Sequence, residues 1–218
     1  LKLGMPHMEA RDEAHALRFW DGDAAVRVLR SDERSGAMLL ERCEPAIPLG
    51  VEPEEEQDEV VSGLLHRLGK TPPPGVFRHL SEMTERWGVE AQDDAENWAD
   101  PGLTRAGIDL LGELASGAPR EALLATDLHA GNVLGATREP WLAIDPKPFV
   151  GDTAYDATQH LFNWDERMRA DPHGTIRRFA DLLEVDHERV GLWTFARAAV
   201  DLRREAPDTD SLARVLAP

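Results

Sequence analysis

Two short apolar runs enclose a polar loop near the middle of the chain, and this arrangement most restricts what the chain can fold into. Ala122–Leu124 and Trp141–Ile144 are each short enough to predict strands rather than helices. The loop between them carries Asp127 and Asn132, and the second run ends directly before Asp145. Asp is abundant in this chain, but an ordered set of two acids and an amide between two apolar segments is hard to obtain by chance.

The spacing of these polar residues is typical of phosphoryl transfer. Asn132 follows Asp127 by five positions, which is the D-x-x-x-x-N spacing of the kinase catalytic loop. In that template the Asp orients a hydroxyl, the Asn holds one metal ion, and a later Asp holds metal bound to ATP. The sequence therefore predicts Asp127 as the catalytic residue. It predicts Asn132 and Asp145 as ligands of Mg²⁺, a hard cation that prefers oxygen donors.

Three motifs around these residues resemble one kinase family. They are D-L-H-A-G-N-V-L at residues 127–134, I-D-P-K-P at residues 144–148 and G-D-T-A-Y-D at residues 151–156. The set resembles the aminoglycoside phosphotransferase-type kinases, most of all the branch of streptomycin 6-phosphotransferases and hydroxyurea-resistance kinases. The resemblance runs from Lys2 to about Trp193. It departs at Ala125, where the family usually has His, and in the N-terminal lobe, which is incomplete.

This resemblance implies an α+β fold, the two-lobed fold of the protein kinases. Residues 1–44 would form a partial N-terminal nucleotide-binding lobe that ends in the hinge. Residues 45–218 would form a mainly helical C-terminal lobe with the catalytic loop and the acceptor site. A kinase of this type has two more strands and a phosphate-covering turn before Lys2. We therefore expect that N-terminal residues are missing from this chain, which begins mid-strand and without Met.

Local patterns predict individual elements of this fold. Short apolar runs predict four strands, at residues 24–29, 36–40, 122–124 and 141–144. Apolar residues at helical spacing predict five helices, at residues 9–20, 54–68, 103–114, 175–183 and 188–202. Three prolines and a glycine between Cys43 and Pro53 mark the predicted lobe boundary.

The charge of the chain restricts its partners. With 24 Lys and Arg against 41 Asp and Glu, the formal charge is −17, which disfavours nucleic acid and anionic membranes. A cationic substrate would suit this charge, although a solvated acidic surface is the simpler explanation. No signal peptide or membrane-spanning run is visible, and the single cysteine, Cys43, cannot form an internal disulfide. We therefore predict a cytoplasmic protein without nucleic-acid or membrane partners.

The resemblance also implies an ATP site near the beginning of the chain. Lys2 would neutralise the α- and β-phosphates, with Glu13 as its partner and Glu9 as the alternative. A surface lysine and a solvated glutamate would fit the same two positions. The hinge segment, residues 39–45, would hold adenine through the carbonyl of Arg42 and the N–H of Glu44. ATP and Mg²⁺ are thus the expected cofactors.

Acidic residues that follow the metal-binding motif are candidates for the acceptor site, where they would attract ammonium or guanidinium groups. They are Asp152, Asp156, Asp165 and Glu166. For Asp156 a structural role as a buried, hydrogen-bonded carboxylate is favoured. Trp164 is the candidate for a wall of the same pocket. Lys147 could meet a phosphate or pair with Asp127, and His129 could fix the catalytic loop or contact phosphate.

The predicted function is ATP-dependent O-phosphorylation of a small hydroxylated molecule, with an aminoglycoside of the streptomycin type as acceptor. One alternative is a metabolic small-molecule kinase that acts on a sugar, an amino alcohol or hydroxyurea, because a fold does not determine its substrate. A second alternative is a catalytically silent kinase-like binding protein. The presence of Asp127, Asn132 and Asp145 argues against this second alternative. Ala125 and the absent phosphate-covering turn argue for it.

Overall fold

The chain folds into two units, each built from two separate stretches of sequence. The computed structural model describes residues 1–3, 11–32, 34–202 and 212–218, apart from the side chain of Asp165. Unit 1 contains Leu1–Arg78 and Ala122–Val150, and unit 2 contains His79–Glu121 and Gly151–Pro218. The alternative lysine partner, Glu9, lies outside the described residues. The predicted lobe boundary after residue 44 stays a prediction.

In the residues that the structure describes, unit 1 combines short strands with two α-helices. Its three-stranded antiparallel sheet has the order β1-β3-β2, with β1 at Lys2–Leu3, β2 at Val28–Asp32 and β3 at Ala37–Leu40. Helices α1 and α2 span Glu13–Trp20 and Glu54–Leu68. Strands β5 (Val133–Gly135) and β6 (Trp141–Ala143) form an antiparallel hairpin. Strand β4 (Glu121–Leu124) pairs with β7 (Phe149–Asp152).

The sequence explains how the helices of unit 1 are placed. The first turn of α2 carries three acids, Glu54–Glu56, at the positive end of the helix dipole. The indole Nε1 of Trp20, at the end of α1, donates to the carbonyl of Leu68 at the end of α2, at 2.8 Å. Both side chains are almost fully buried. Burial of Trp20 therefore fixes where both helices end relative to one another.

Unit 2 is built mainly from helices. They are α3 (Leu80–Asp93), α4 (Pro101–Ser116), α5 (Ala157–Phe162), α6 (Asp165–Ala170), α7 (Pro172–Leu183) and α8 (His187–Val200). Helices α4 and α8 approach closely at Gly107, where an added Cβ would lie only 2.7 Å from the Cβ of Ala199. Within the described residues, no helix has both the length and the apolar character needed to cross a membrane.

Most predicted elements are present, with two informative differences. The first predicted strand begins at Val28 rather than at residue 24, because Ala24–Val26 bond with Ala143 instead of entering the sheet. The N–H of Ala143 donates to the carbonyl of Ala24, and the N–H of Val26 donates to the carbonyl of Ala143. Helix α3 and strands β5 and β7 were not predicted. The two strands are only three and four residues long, whereas α3 does have a helical period, with Leu80, Thr84, Gly88 and Ala91 buried at steps of three or four residues.

One buried acid anchors the beginning of the second stretch of unit 2. Asp152 is almost fully buried, and its Oδ2 accepts from Nε of Arg189 at 2.5 Å and from Nε1 of Trp193 at 2.7 Å. Its Oδ1 accepts from the N–H of Ala154 at 3.1 Å. The guanidinium of Arg189 also donates to the carbonyls of Leu114 and Gly117. Asp152 thus ties the end of β7 to α4 and α8.

We expect Arg189→Ala to destabilise the protein by about 3 kcal/mol, because it leaves a buried carboxylate without its cation. Urea unfolding followed by circular dichroism measures the free energy of unfolding. Arg86→Ala is the matched control, since Arg86 pairs with Glu90 at 2.6 Å on an exposed surface. It should cost less than about 1 kcal/mol. Equal losses of unfolding free energy in the two variants would show that the buried Asp152–Arg189 pair stabilises the protein no more than an exposed pair does.

Candidate active site

The predicted catalytic loop, residues 125–132, is held at both ends by residues that follow strand β6. The N–H of Ile144 donates to the carbonyl of Asn132 at 2.9 Å, which extends the β5–β6 pairing by one residue. The N–H of Lys147 donates to the carbonyl of Ala125 at 2.9 Å. The hydroxyl of Thr126 donates to the carbonyl of Lys147. Residues 144–147 therefore fix where the loop begins and where it ends, and we call this set of contacts the loop clamp.

Two residues of the loop clamp have strained backbones. Thr126 has φ of 51° and Asp145 has φ of 54°, in the left-handed region that non-glycine residues rarely adopt. For a β-branched residue such as Thr126 this conformation is a genuine outlier. Strain of this kind persists only where surrounding contacts over-determine it, and such sites cluster at functional positions.

Within the loop, side chains hold the backbone. The amide Nδ2 of Asn132 donates to the carbonyl of Asp127 at 2.9 Å. Nδ1 of His129 accepts from the N–H of Gly131 at 3.1 Å, which caps the short helical turn Ala130–Asn132. For His129 this contact favours the loop-fixing role over a phosphate contact. Asp127 itself is partly exposed, which is compatible with its predicted catalytic role.

Two lysines converge on the carboxylate of Asp145. Nζ of Lys2 donates to both oxygens of Glu13, at 2.7 and 2.8 Å, and also to Oδ1 of Asp145. Nζ of Lys147 donates to the same Oδ1 at 2.5 Å. The structure thus brings together Lys2, Glu13 and Asp145, which lie far apart in sequence. The ammonium of Lys147 is bound to Asp145, a partner that the sequence had not offered, and the phosphate contact and the pairing with Asp127 stay predictions.

Burial and pairing shift the pKa values of Lys2, Glu13 and Asp145. Burial works against the charged form of Asp145, but the hydrogen bonds from Lys147 and Lys2 outweigh it and lower the pKa of the carboxyl. Burial likewise opposes the charged form of Lys2, and the bonds to Asp145 and Glu13 raise its pKa nevertheless. Glu13 is only 2% exposed, and this burial raises its pKa despite the pairing with Lys2.

The oxygens near the loop suit Mg²⁺. Because Nδ2 of Asn132 is used in the bond to Asp127, the carbonyl oxygen of the amide is the atom that can face a cation. Asp145 is 39% exposed at its side chain, so a cation can reach the carboxylate. Among the described residues, no three His, Cys, Asp or Glu side chains are grouped to hold a metal on their own. Mg²⁺ needs no such group, because it commonly uses one or two protein oxygens together with phosphates and water.

The predicted hinge segment runs from β3 into the loop that follows it. Arg42 and Glu44 pair with each other at 3.2 Å, and their side chains are 86% and 64% exposed. Adenine contacts through the backbone would not involve these side chains. The roles of the Arg42 carbonyl and the Glu44 N–H therefore stay predictions.

The acids predicted for the acceptor site belong to unit 2 and have different surroundings. Asp152 is the buried partner of Arg189 and Trp193, and these contacts favour a bracing role over ligand binding. Asp156 is also buried, which fits the structural role favoured for it. Glu166 is exposed on α6, and Asp165 begins that helix. Trp164 is partly exposed, and its Nε1 donates to Nε2 of His160 at 3.1 Å.

Two residues of the site were not assigned these contacts from the sequence. Thr126 carries no signal, because its role depends on a left-handed backbone and on a carbonyl 21 positions later. For Lys147 the signal was its place two residues after Asp145, where a turn brings its ammonium back onto the carboxylate.

Comparison with known proteins identifies the family. The sequence profile of the aminoglycoside/hydroxyurea antibiotic resistance kinases matches residues 1–206. Streptomycin 6-kinase of Streptomyces griseus is 41% identical over 211 residues, which cover 90% of this chain and 67% of that protein. Hydroxyurea phosphotransferase of Kitasatospora aureofaciens is 39% identical over 217 residues, covering 95% and 62%. The chain thus spans about two thirds of the length of these curated relatives.

The fold is that of a kinase. A choline kinase from Streptococcus pneumoniae superposes with a TM-score of 0.66 at 15% identity, over 91% of this chain and 74% of that one. This likeness and the mixture of helix and sheet confirm the predicted α+β kinase-like fold. The chain belongs to the aminoglycoside/hydroxyurea antibiotic resistance kinase family. Its members are ATP-using kinases that phosphorylate hydroxyl groups, and the predicted enzyme class is confirmed.

We expect Lys147→Met to raise the pKa of Asp145 relative to the parent protein, because one of its two cations is lost. A carboxyl with a lowered pKa contributes stability at neutral pH that is lost as the pH falls through that pKa. The variant should therefore lose this contribution at a higher pH than the parent. Carboxyl-carbon NMR titration measures the pKa directly.

Lys70→Met is the control for this titration. Nζ of Lys70 lies 2.6 Å from Oδ2 of Asp23, and this bond is the largest cause of the lowered pKa of Asp23. The control should raise the pKa of Asp23 and leave Asp145 unchanged. An unchanged Asp145 in Lys147→Met would show that the Lys147 contact does not persist in solution.

Proposed function

We propose that this protein uses ATP and Mg²⁺ to phosphorylate a hydroxyl group of an aminoglycoside, with streptomycin as the leading candidate. The observation that carries the proposal is the convergence of Lys2, Glu13 and Asp145 beside the clamped loop of Asp127 and Asn132. Phosphoryl transfer depends mainly on positioning and on electrostatic stabilisation. A rigid loop with an acid, an amide and paired charges meets both needs.

Lys2 is the proposed phosphate ligand. Its side chain is 28% exposed, and its ammonium is held by Glu13, whose side chain is almost fully buried. A buried carboxylate fixes the lysine in one place, because leaving Glu13 unpaired would cost several kcal/mol. The charge of Lys2 would then lie where the α- and β-phosphates of ATP bind.

Asn132 and Asp145 are the proposed Mg²⁺ ligands. When bound, Mg²⁺ would neutralise part of the charge on the phosphates. Asp145 would exchange its lysine contacts for the cation, and Lys147 would keep the carboxylate neutralised in the metal-free protein. The strained backbone of Asp145 would hold its oxygens in place for this exchange.

Asp127 is the proposed catalytic residue. Its backbone is fixed by the N–H bond to Ala125 at 2.7 Å and by the amide of Asn132. With the backbone fixed, the carboxylate can hold the acceptor hydroxyl in line with the γ-phosphate and accept its proton. Ala125, where the family usually has His, contributes its carbonyl to the loop clamp, and this contact needs no imidazole.

The aminoglycoside acceptor is supported by the streptomycin 6-kinase relative and by acids in unit 2. Guanidinium groups such as those of streptomycin form paired hydrogen bonds with carboxylates. Asp165 and Glu166, at the start of α6, are the proposed ligands. The formal charge of −17 would favour the approach of a cation. The relative that acts on hydroxyurea makes hydroxyurea the second candidate acceptor. ATP as donor and the single cysteine support a cytoplasmic location.

We expect Asp145→Asn to weaken binding of Mg·ATP about tenfold more than binding of metal-free ATP, because the lost charge faces the cation. Titration calorimetry with and without Mg²⁺ measures both affinities. Asp23→Asn, which removes an acid paired with Lys70, should affect neither. Equal losses for Asp145→Asn in both conditions would make Asp145 a structural acid instead of a metal ligand.

We expect streptomycin to stimulate release of ADP from Mg·ATP more strongly than hydroxyurea or a neutral polyol does. Asp127→Ala should lower the stimulated rate by about 10²-fold with little effect on ATP affinity, because the residue acts on the acceptor. Added salt should weaken the apparent affinity for streptomycin, since the Debye length is only about 10 Å at 0.1 M.

The global charge predicts the same salt trend, so matched variants decide between the two causes. Replacing Asp165 with Asn and Glu166 with Gln should weaken streptomycin binding. Replacing the exposed Glu56 and Glu59 of α2 with Gln changes the charge equally and should not. Phosphorylation of a neutral polyol, with streptomycin ignored, would refute the aminoglycoside proposal.

A further inference from the structure

We propose that Arg138 is a positioning residue of the nucleotide site, which holds the hinge segment against the β5–β6 hairpin. Arg138 lies in the turn of that hairpin, far in sequence from residues 39–45. The inference rests on the proposed function, in which the hinge segment receives adenine. It adds a residue outside the kinase motifs to the determinants of donor binding.

The guanidinium of Arg138 binds Glu41, near the beginning of the hinge segment. Its Nε donates to Oε1 of Glu41 at 2.8 Å, and its Nη2 donates to Oε2 of Glu41 at 3.0 Å. This paired geometry is the strong and orientation-specific form of an arginine–carboxylate contact. The same guanidinium also donates to the carbonyls of Gly22 and Ala25, at 2.7 and 3.1 Å. Together with a bond from Nη1 to Oε1 of Glu139 at 2.8 Å, these contacts fix the plane of the arginine, and the arginine fixes Glu41.

Burial and charge show that the pair is more than a surface contact. The side chains of Arg138 and Glu41 are only 23% and 18% exposed. The bond from Arg138 is the main cause that lowers the pKa of Glu41, and the N–H of Arg27 adds to it. That N–H lies 3.0 Å from Oε2, and the N–H of Glu41 in turn donates to the carbonyl of Arg27. Glu41 is therefore held from both sides.

The hairpin also bonds to backbone groups at the end of the hinge segment and just past it. The hydroxyl of Thr137 donates to the carbonyl of Glu44 at 2.9 Å. Just past the segment, the N–H of Ala46 donates to the carbonyl of Gly135 at 3.0 Å, and the N–H of Gly135 donates to the carbonyl of Ile47 at 2.8 Å. The Glu44 carbonyl is thus turned toward the hairpin.

The same hairpin ends at the proposed metal ligands. Asn132 directly precedes β5, and Asp145 follows β6 after one residue. One rigid element therefore carries the contacts to the hinge at its turn and the metal ligands at its open end. A hinge that loosens from the turn would move adenine relative to the phosphates, and a shift of about 1 Å is enough to impair transfer.

Arg67 provides a matched control from the same ion-pair network. It pairs with Asp23 at 2.6 Å and with Glu139 at 2.8 Å, and Glu139 also pairs with Arg138. Replacement of either arginine by Gln removes one positive charge from this network. The two differ in that the guanidinium of Arg138 bonds to Glu41, whereas that of Arg67 bonds to Asp23 and Glu139.

The test compares adenosine with ATP in titration calorimetry. Arg138→Gln should weaken adenosine, ADP and ATP alike by about tenfold, because the adenine end is displaced. Arg67→Gln should change these affinities by less than about twofold. Lys2→Met should weaken binding of ATP and leave binding of adenosine unchanged, since the proposed ligand of Lys2 is phosphate. Thr137→Val, which removes one hydroxyl from the turn, should weaken adenosine in the same direction as Arg138→Gln.

Two outcomes overturn the inference in different ways. If the parent binds ATP and adenosine, and Arg138→Gln and Thr137→Val both bind adenosine as tightly as Arg67→Gln does, Arg138 has no positioning role while the proposed function stands. If the parent binds neither ATP nor adenosine, the proposed function fails and the inference fails with it. Thermal unfolding of each variant separates loss of the nucleotide site from loss of the fold.

Discussion

The carboxylate of Asp145, shared by two ammonium groups, is the interaction on which the arrangement of the site depends. Lys2 comes from the first strand of unit 1, and Lys147 comes from the chain just after Asp145. Burial disfavours each charge alone, and mutual pairing offsets that cost. The outcome is a set of charges held in fixed positions before any ligand binds. Such preorganisation is what electrostatic catalysis requires, because the charges need not reorganise during the reaction.

The loop clamp connects this group of charges to the predicted catalytic loop. Ile144 and Lys147 bond to the two ends of the loop, and Asp145 lies between them. The strained φ angles of Thr126 and Asp145 are maintained by these bonds, so loss of the clamp would release both. The same four residues, 144–147, thus supply the proposed metal ligand Asp145, its counter-ion Lys147 and the backbone bonds that hold the two ends of the loop.

The contacts also separate acids that look alike in sequence. Asp145 is partly exposed and shared by amines that a cation can replace, which suits a ligand. Asp152, seven residues later, is buried among Arg189, Trp193 and a backbone N–H, which suits a structural brace. Glu13 is buried and pairs with Lys2, which suits an acid that positions the lysine. Burial and the nature of the partner, rather than residue type, assign these roles.

The sequence by itself determined the kinase family and the helices of the C-terminal half, and it predicted Asp127 as the catalytic residue and Asn132 and Asp145 as metal ligands. These follow from local spacing and period, because a D-x-x-x-x-N loop and an amphipathic helix are encoded by residues near one another. Only the tertiary structure decided that Lys147 binds Asp145, that Thr126 closes the clamp and that Arg138 grips Glu41. Each of these contacts depends on a left-handed backbone, a turn or a partner distant in sequence. The spacing of apolar residues does not predict such contacts, since they arise only when separate segments pack together.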